Sequence, residues 1–305
     1  MLKNEARIAV LMGGFSEERE VSLVTGRECA AALREAGFLH VLEMDVTRAI
    51  ASDVVNAGVE VCFNALHGPL GEDGSIQGLL NLLGIPYTHS GVLASSIAMQ
   101  KDIAKELAAS VGIRCPAGFR MDRASYAVAR FEKPYVIKPI NEGSSIHTYI
   151  VLDPSETPFD IAAWPYQEPA LVEEYISGKE LTVTVLDGTS LTVTEIVSQD
   201  LFYDYEAKYK PGGSRHIVPA DIPAAVSAQC LAWAEAIHHK LGCRGISRSD
   251  FIYDRRGGEE GVYFLEINTQ PGMTPTSLAP EQARHCGISF PDLVSRLVAV
   301  AAIDK

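Results

Sequence analysis

The chain has 305 residues, 47% apolar and 21% charged, enough for two domains or three small ones with cores of their own, which excludes a disulfide-stapled miniprotein and a disordered chain. With 26 Lys and Arg against 39 Asp and Glu the net charge is −13, which opposes phosphate backbones and anionic bilayers, so no nucleic-acid partner is expected. The longest unbroken apolar run, residues 297–303, has seven residues where a membrane span needs about 20, and no apolar leader precedes the first strand; the reading is no membrane partner and a cytoplasmic protein.

Residues 8–12 form a continuous apolar strand followed by Gly13-Gly14, with Ser16 as the expected N-cap of an amphipathic helix over about 20–36 closed by Gly37. Strands at 41–44 and 59–63 and a short helix at 75–83, ended by Gly84, complete a small parallel α/β domain. A helix from about 99 to 110 opens a second region with strands at 118–120, 135–139, 148–152 and 171–174, antiparallel in character. In the third region the alternating stretches 181–185 and 191–195 flank Asp187-Gly188, a strong hairpin signal. Residues 199–213 are polar, rich in tyrosine and too long for a plain connector. A helix over 224–241 closed by Gly242, strands at 246–253 and 262–268 and a last helix over 290–303 finish the chain. The six cysteines show no zinc or C-x-x-C spacing and are expected to be reduced core thiols.

Gly13-Gly14 lacks the full dinucleotide fingerprint and no phosphate-binding G-x-x-x-x-G-K-[ST] occurs, since Glu180 follows Gly178-Lys179. His67-Gly68-Pro69-Leu70-Gly71-Glu72-Asp73-Gly74 follows an apolar strand and sets an imidazole and two carboxylates among glycines at a sheet edge. It reads either as a ligand loop or as a turn in which Asp73 caps the next helix. Lys138, at the end of a strand, precedes the small-residue loop Asn141-Glu142-Gly143-Ser144-Ser145, whose amides and hydroxyls suit phosphate oxygens. Lys101 is a second phosphate candidate. On a strand alternate residues share a face, so Arg248 and Asp250 point one way, as do Glu266 and Asn268. If these strands are neighbours, one face carries two carboxylates, an amide oxygen and a guanidinium, a hard-oxygen set suited to Mg²⁺. The alternative is a surface salt bridge between Arg248 and Asp250.

Six blocks in order, Glu18-Arg19-Glu20-Val21-Ser22, the His67–Gly74 loop, Lys138 with Gly143-Ser144-Ser145, Phe202-Tyr203-Asp204-Tyr205-Glu206-Ala207-Lys208-Tyr209, Arg248 with Asp250, and Glu266-Ile267-Asn268-Thr269-Gln270-Pro271-Gly272-Met273-Thr274, resemble the D-alanine–D-alanine ligases of the ATP-grasp superfamily. The resemblance implies an α/β chain of three domains: an N-terminal parallel α/β domain (1–88), a central α+β subdomain (89–176) and a C-terminal α+β catalytic subdomain (177–305), with ATP between the last two. It implies an adenine hinge at Glu173, Glu174, Tyr175 and Ile176, and Glu180 on the ribose. Lys101 and Lys138 would meet the phosphates, with Ser144 and Ser145 in the loop over them. Asp250, Glu266 and Asn268 would ligate two Mg²⁺ (or Mn²⁺).

By the same resemblance Glu18 pairs with the ammonium of the first D-alanine, with His67 beside it. Arg248 and the Gly272 amide form the oxyanion site. Ser277, Leu278 and Lys208 meet the second D-alanine, Lys208 also serving the nucleotide, and Tyr209, linked through Ser144 to Glu18, fastens 199–213 as a lid. A homodimer is expected from family habit. Gln270 stands where a Ser is common, with little effect expected. The competing readings are a ligase joining D-alanine to another D-amino acid or to D-lactate, a nucleotide-dependent oxidoreductase built on Gly13-Gly14, and a non-catalytic ATP-binding module; the oxidoreductase lacks its fingerprint, and the module would need lost metal ligands.

Overall fold

A computed structural model describes residues 5–128, 133–143, 147–153, 159, 160, 164, 169–198, 214–274 and 276–304. Three sheets carry the architecture. In the first, β1 (Arg7–Met12) lies between β2 (His40–Asp45) and β3 (Val61–Asn64), all parallel, as continuous apolar runs require when helices cover a sheet. Its connections include α1 (Arg19–Glu35) and α2 (Ile50–Asn56), and α3 (Ser75–Leu83) follows β3. Helix α1 is N-capped by Glu18 rather than Ser16, whose hydroxyl instead accepts from the Glu18 amide at 3.3 Å and donates to the His67 carbonyl at 2.6 Å.

The expected helix over 99–110 is α5 (Lys101–Ser110); a further helix, α4 (Val92–Met99), precedes it, and Gln100 between them has an extended ψ of 96°. The second sheet has the order β4 (Gly118–Met121), β7 (Ala170–Glu174), β5 (Tyr135–Pro139), β6 (Tyr149–Val151), all antiparallel; α6 (Arg123–Val128) follows β4. The third places β10 (Ser214–Ile217), β9 (Thr189–Ser198), β8 (Lys179–Leu186), β11 (Ile246–Tyr253) and β12 (Val262–Asn268) side by side, again antiparallel. The β8–β9 turn has φ of 51° at Asp187 and 81° at Gly188, the positive pair that a two-residue D-G hairpin needs.

Helix α7 (Ala224–Leu241) packs on this sheet through Val226, Cys230, Ala234 and Ile237, joined there by Ala94, Ala98 and Ala108 of α4 and α5. Helix α8 (Leu278–His285) has no counterpart among the expected elements, and the last helix, expected over 290–303, is α9 (Phe290–Ala299). Helix α9 buries Leu293, Val294, Leu297 and Val298 in one core with Ile8, Val10 and Leu33, so the end of the chain returns to the first sheet. All six cysteines are free; Cys29, Cys62 and Cys230 are buried, and Cys286 is exposed, which corrects the core reading for that residue.

Candidate active site

Strands β11 and β12 are neighbours, with Arg248 opposite Asn268 and Asp250 opposite Glu266, so the two carboxylates, the amide and the guanidinium share a face. Beyond Asp250 the register shifts, and Phe251 faces Phe264. Leu265 is thus the extra residue of a β-bulge. Because of it Phe264 points into the core, 0% exposed, while Glu266, two residues on, points to the site. Asp250 and Arg248 do form the expected alternative pair, but as a part-buried fork rather than a surface bridge: Arg248 Nε donates to Oδ1 at 3.0 Å and Nη2 to Oδ2 at 2.9 Å. Thr182 of β8 adds a hydroxyl donor to Asp250 Oδ1 at 2.6 Å.

Three lysines approach this face from the second sheet and α5. Lys101 opens α5; its ammonium bonds the Glu142 carbonyl and lies 3.3 Å from Glu266 Oε2. Lys138, on β5, lies 2.6 Å from Glu173 Oε2. Lys105, one turn after Lys101, bonds Glu173 Oε1. All four side chains of the Lys101, Lys105, Lys138 and Glu173 group are buried. Burial opposes the charge on Lys138, but Glu173 and Glu266 outweigh it and hold its pKa above the ordinary lysine value. Burial likewise opposes the Glu173 carboxylate, and the two lysines more than offset it, so its pKa is depressed. The Glu173 side chain therefore faces the lysines. In the hinge the amides of Glu174 and Tyr175 already donate to the carbonyls of Ala117 and Pro134, so an adenine would meet other atoms of that segment. Glu180 sits on β8 opposite Ile252 of β11.

Among the described residues no group of three His, Cys, Asp or Glu forms a metal cage. The set present, two carboxylates and an amide oxygen, fits Mg²⁺ bridging phosphates, which keeps water and takes few protein oxygens. The buried lysines beside it fit the phosphates themselves.

The first sheet contributes the other wall. Glu18 is 7% exposed and lies between two glycines. Gly68 has φ of +71°, and a Cβ there would come within 2.8 Å of Glu18 Oε2; one on Gly143 would come within 3.5 Å. Both ring nitrogens of His67 are engaged, Nδ1 with Glu72 Oε1 and Nε2 with Thr25 Oγ1, each at 3.0 Å. Burial pushes the Glu72 carboxyl up, against the pull of His67. The His67 ring is thus fixed from two sides.

After β12 the chain turns back across the first sheet. Asn268 Oδ1 accepts from the Gln270 amide at 2.7 Å. The Gln270 side chain, 2% exposed, accepts from Asn64 Nδ2 at 2.6 Å and donates to the Leu66 carbonyl. The sequence reading treated this residue as neutral; the structure makes it the polar joint between the 268–274 loop and the loop that carries His67. The Ser277 hydroxyl accepts from the Thr274 amide at 3.0 Å and bonds Thr274 Oγ1 at 2.7 Å, folding the loop so that a Cβ on Gly272 would lie 3.0 Å from Ser277 Oγ. Leu278 begins α8, buried against Ile196. Ser144, Ser145, Lys208, Tyr209 and the 199–213 segment lie outside the described residues. Of the remaining expected residues, Arg248, Asp250, Glu266 and Asn268 share one face, with Lys101 3.3 Å from Glu266 and Lys138 paired to Glu173. Lys105, which belongs to no motif, was missed, and Gln270, inside the Glu266–Thr274 block, was given little weight, since the partners of both are remote in sequence.

Two family models match: one described as D-ala D-ala ligase N-terminus over residues 42–90, the other as D-ala D-ala ligase C-terminus over residues 117–299. The D-alanine–D-alanine ligase of Ruegeria pomeroyi is 50% identical over 304 residues, covering 99% of this chain and 98% of its own. That of Acidiphilium cryptum is 51% identical over 300 residues, covering 97% of this chain and 98% of its own. The crystal structure of the Bacillus anthracis D-alanine–D-alanine ligase complexed with ATP superposes with a TM-score of 0.81 at 30% identity, over 98% of this chain and 97% of that one.

Proposed function

We propose, from the premise that the chain belongs to the D-alanine–D-alanine ligase family, that it joins two D-alanines to D-alanyl-D-alanine at the expense of ATP, in the cytoplasm, for peptidoglycan synthesis. The observation that carries the reading is the pairing of Asp250 with Glu266 and of Arg248 with Asn268 on one face, beside buried Lys101 and Lys138.

When bound, ATP with two Mg²⁺ (or Mn²⁺) supplies the phosphoryl group that makes the first carboxylate an acylating agent and offsets charge in the transfer. Asp250, Glu266 and Asn268 would hold the metal. Asp250 gives both oxygens to Arg248, so a cation there would compete with that guanidinium. Lys101 and Lys138 would position the phosphates, with Ser144 and Ser145 above them, Glu180 on the ribose, and the adenine hinge at Glu173, Glu174, Tyr175 and Ile176. Glu18 would take the first ammonium, oriented against Gly68 and the fixed His67. Arg248 and the Gly272 amide would stabilise the oxyanion of the tetrahedral adduct. Ser277, Leu278 and Lys208 would seat the second D-alanine, and Tyr209 would close the 199–213 lid to exclude water from the acyl phosphate.

The proposed units are 1–88, 89–176 and 177–305, following the three sheets. The fold has no helix, among the described residues, long and apolar enough to cross a membrane. A homodimer is proposed on family habit. The test is phosphate release from ATP and Mg²⁺ with D-alanine, L-alanine, D-lactate or no acceptor. Release that depends on D-alanine, with dipeptide as product, is expected. Equal rates with L-alanine, or predominant depsipeptide in an equal D-alanine and D-lactate mixture, would overturn the assignment.

A further inference from the structure

Lys105 belongs to no sequence motif, yet it is among the most enclosed cations in the molecule, 7% exposed, and its ammonium bonds one oxygen of Glu173 while Lys138 takes the other at 2.6 Å. Glu173 itself is 3% exposed. Space is made for it by Gly118, opposite it on β4, where a Cβ would lie 2.7 Å from Glu173 Cγ. One carboxylate is thus shared by two ammonium groups. Neutralising Glu173 needs only one of them, and Lys138 alone would do that.

The second cation matters when Lys138 changes partner. If its ammonium turns to a phosphate oxygen, Glu173 is left as a buried anion, and an uncompensated buried charge is strongly unfavourable. We propose that Lys105 is a positioning residue for nucleotide binding: it keeps Glu173 paired so that Lys138 can exchange Glu173 for phosphate. The inference rests on reading Lys138 as a phosphate ligand, and the experiment separates the two. The groups facing Lys105 are Glu173 of β7, Lys138 of β5 and Cys115, whose thiol donates to the Lys105 carbonyl at 3.8 Å. Burial, followed by the charge of Lys138, pushes Lys105 down to about 8 against the pull of Glu173. A lysine depressed in this way is charged below about pH 8 and neutral above, so nucleotide affinity should be present below that pH and lost as pH rises through it.

The experiment measures Mg-ATP binding by calorimetry on the full chain without D-alanine, for wild type, Lys105→Met, Lys105→Gln and Lys138→Met, with a melting curve for each with and without nucleotide. In the unliganded Lys105→Met protein the Glu173–Lys138 pair remains one to one. Its melting temperature should therefore stay near wild type, while the Kd for Mg-ATP rises about tenfold or more and the nucleotide-induced rise in melting temperature shrinks. A purely structural lysine would do the reverse, lowering the melting temperature and leaving Kd unchanged, and that result overturns the proposal. From pH 7.5 to 9 the wild-type Kd should rise several-fold and that of Lys105→Met stay flat; a flat wild-type profile also overturns it. If Lys105→Met does not fold, Lys105→Gln and the wild-type profile decide. Wild-type affinity in Lys138→Met overturns the phosphate reading and the proposal with it. Lost affinity in Lys138→Met alongside wild-type affinity in both Lys105 variants overturns the proposal alone.

Discussion

Replacing Gln270 by Ser tests whether the joint between the 268–274 loop and the His67 loop works as the geometry requires. The substitution removes both side-chain bonds at a site 2% exposed. Asn64 Nδ2 keeps its second acceptor, the Gly71 carbonyl at 3.0 Å, so its loss is partial; the Leu66 carbonyl loses the Gln270 donor outright. An unmatched buried polar group costs about 1–3 kcal/mol, and the space left by one methylene and the amide, only partly filled by the new hydroxyl, adds to it, for a total of about 2–4 kcal/mol. Leu66 immediately precedes His67, whose ring is aimed by Glu72 and Thr25, so slack at this carbonyl reaches the amino-acid side of the site and not the lysines. The expectation is a lower urea midpoint and a KM for D-alanine raised about tenfold, the equivalent of about 1.4 kcal/mol of lost positioning, with the KM for ATP within about twofold of wild type. Wild-type stability together with a wild-type KM for D-alanine would refute the argument. A rise confined to the KM for ATP would place the joint's effect on the wrong substrate and refute it equally.

Asp250→Asn and Glu266→Gln each remove a charge from the metal-facing side while keeping volume, and each should lower D-alanine-dependent phosphate release by about 10³-fold or more with the circular dichroism spectrum retained; near-normal turnover at ordinary Mg²⁺ would mean the metal is held elsewhere. Gly68→Ala meets a left-handed φ of +71° and places a methyl 2.8 Å from Glu18 Oε2, so it should cost about 1–2 kcal/mol of stability and raise the KM for D-alanine more than that for ATP, as steady-state kinetics would read. His238, bonded to Ser247 Oγ at 2.7 Å, is pushed down to about 4 by burial and then by His239, so the unfolded chain takes up its proton first: stability is full above about pH 6.5 and falls by about 3 kcal/mol as pH drops toward 4. Urea unfolding of His238→Gln should show a correspondingly shallower acid limb, and an unchanged slope would exclude His238 as its source.

Much of the fold could be read from local signals. The helices Ser75–Leu83 and Ala224–Leu241 begin and end where the pattern places them, because Gly84 and Gly242 adopt the left-handed conformation that ends a helix. The strands Ile246–Tyr253 and Val262–Asn268 and the Asp187-Gly188 hairpin were equally legible. What escaped depends on tertiary contact. Helix α4 escaped the reading; the start of α5 after the extended Gln100 is fixed by the bond from the Lys101 amide to the Ile140 carbonyl, and both helices dock on the third sheet. The bulge at Leu265 reverses which residues of β12 face the core, a parity change that simple alternation cannot display. Lys105 and Gln270 look like an ordinary helical lysine and a loop amide until Glu173 and Asn64, 68 and 206 residues away, are brought beside them.

The charges at the seam explain why an acidic protein can present cations to a polyanion. An ammonium buried alone would shed its proton, so each cation at the site is stored against a carboxylate: Lys101 on Glu266, Lys105 and Lys138 on Glu173, Arg248 on Asp250. Four positive groups thus stand against three negative ones, a local excess of one inside a chain of net charge −13. Ligand arrival on such a surface is an exchange of partners and not a creation of buried charge, which keeps the desolvation cost small at the moment of binding. One of these pairs, Lys101 with Glu266, also crosses between the second and third of the proposed units. Helix α5 reaches the third sheet through its apolar face and through Lys101 and Glu266, and the second through Lys105 and Glu173.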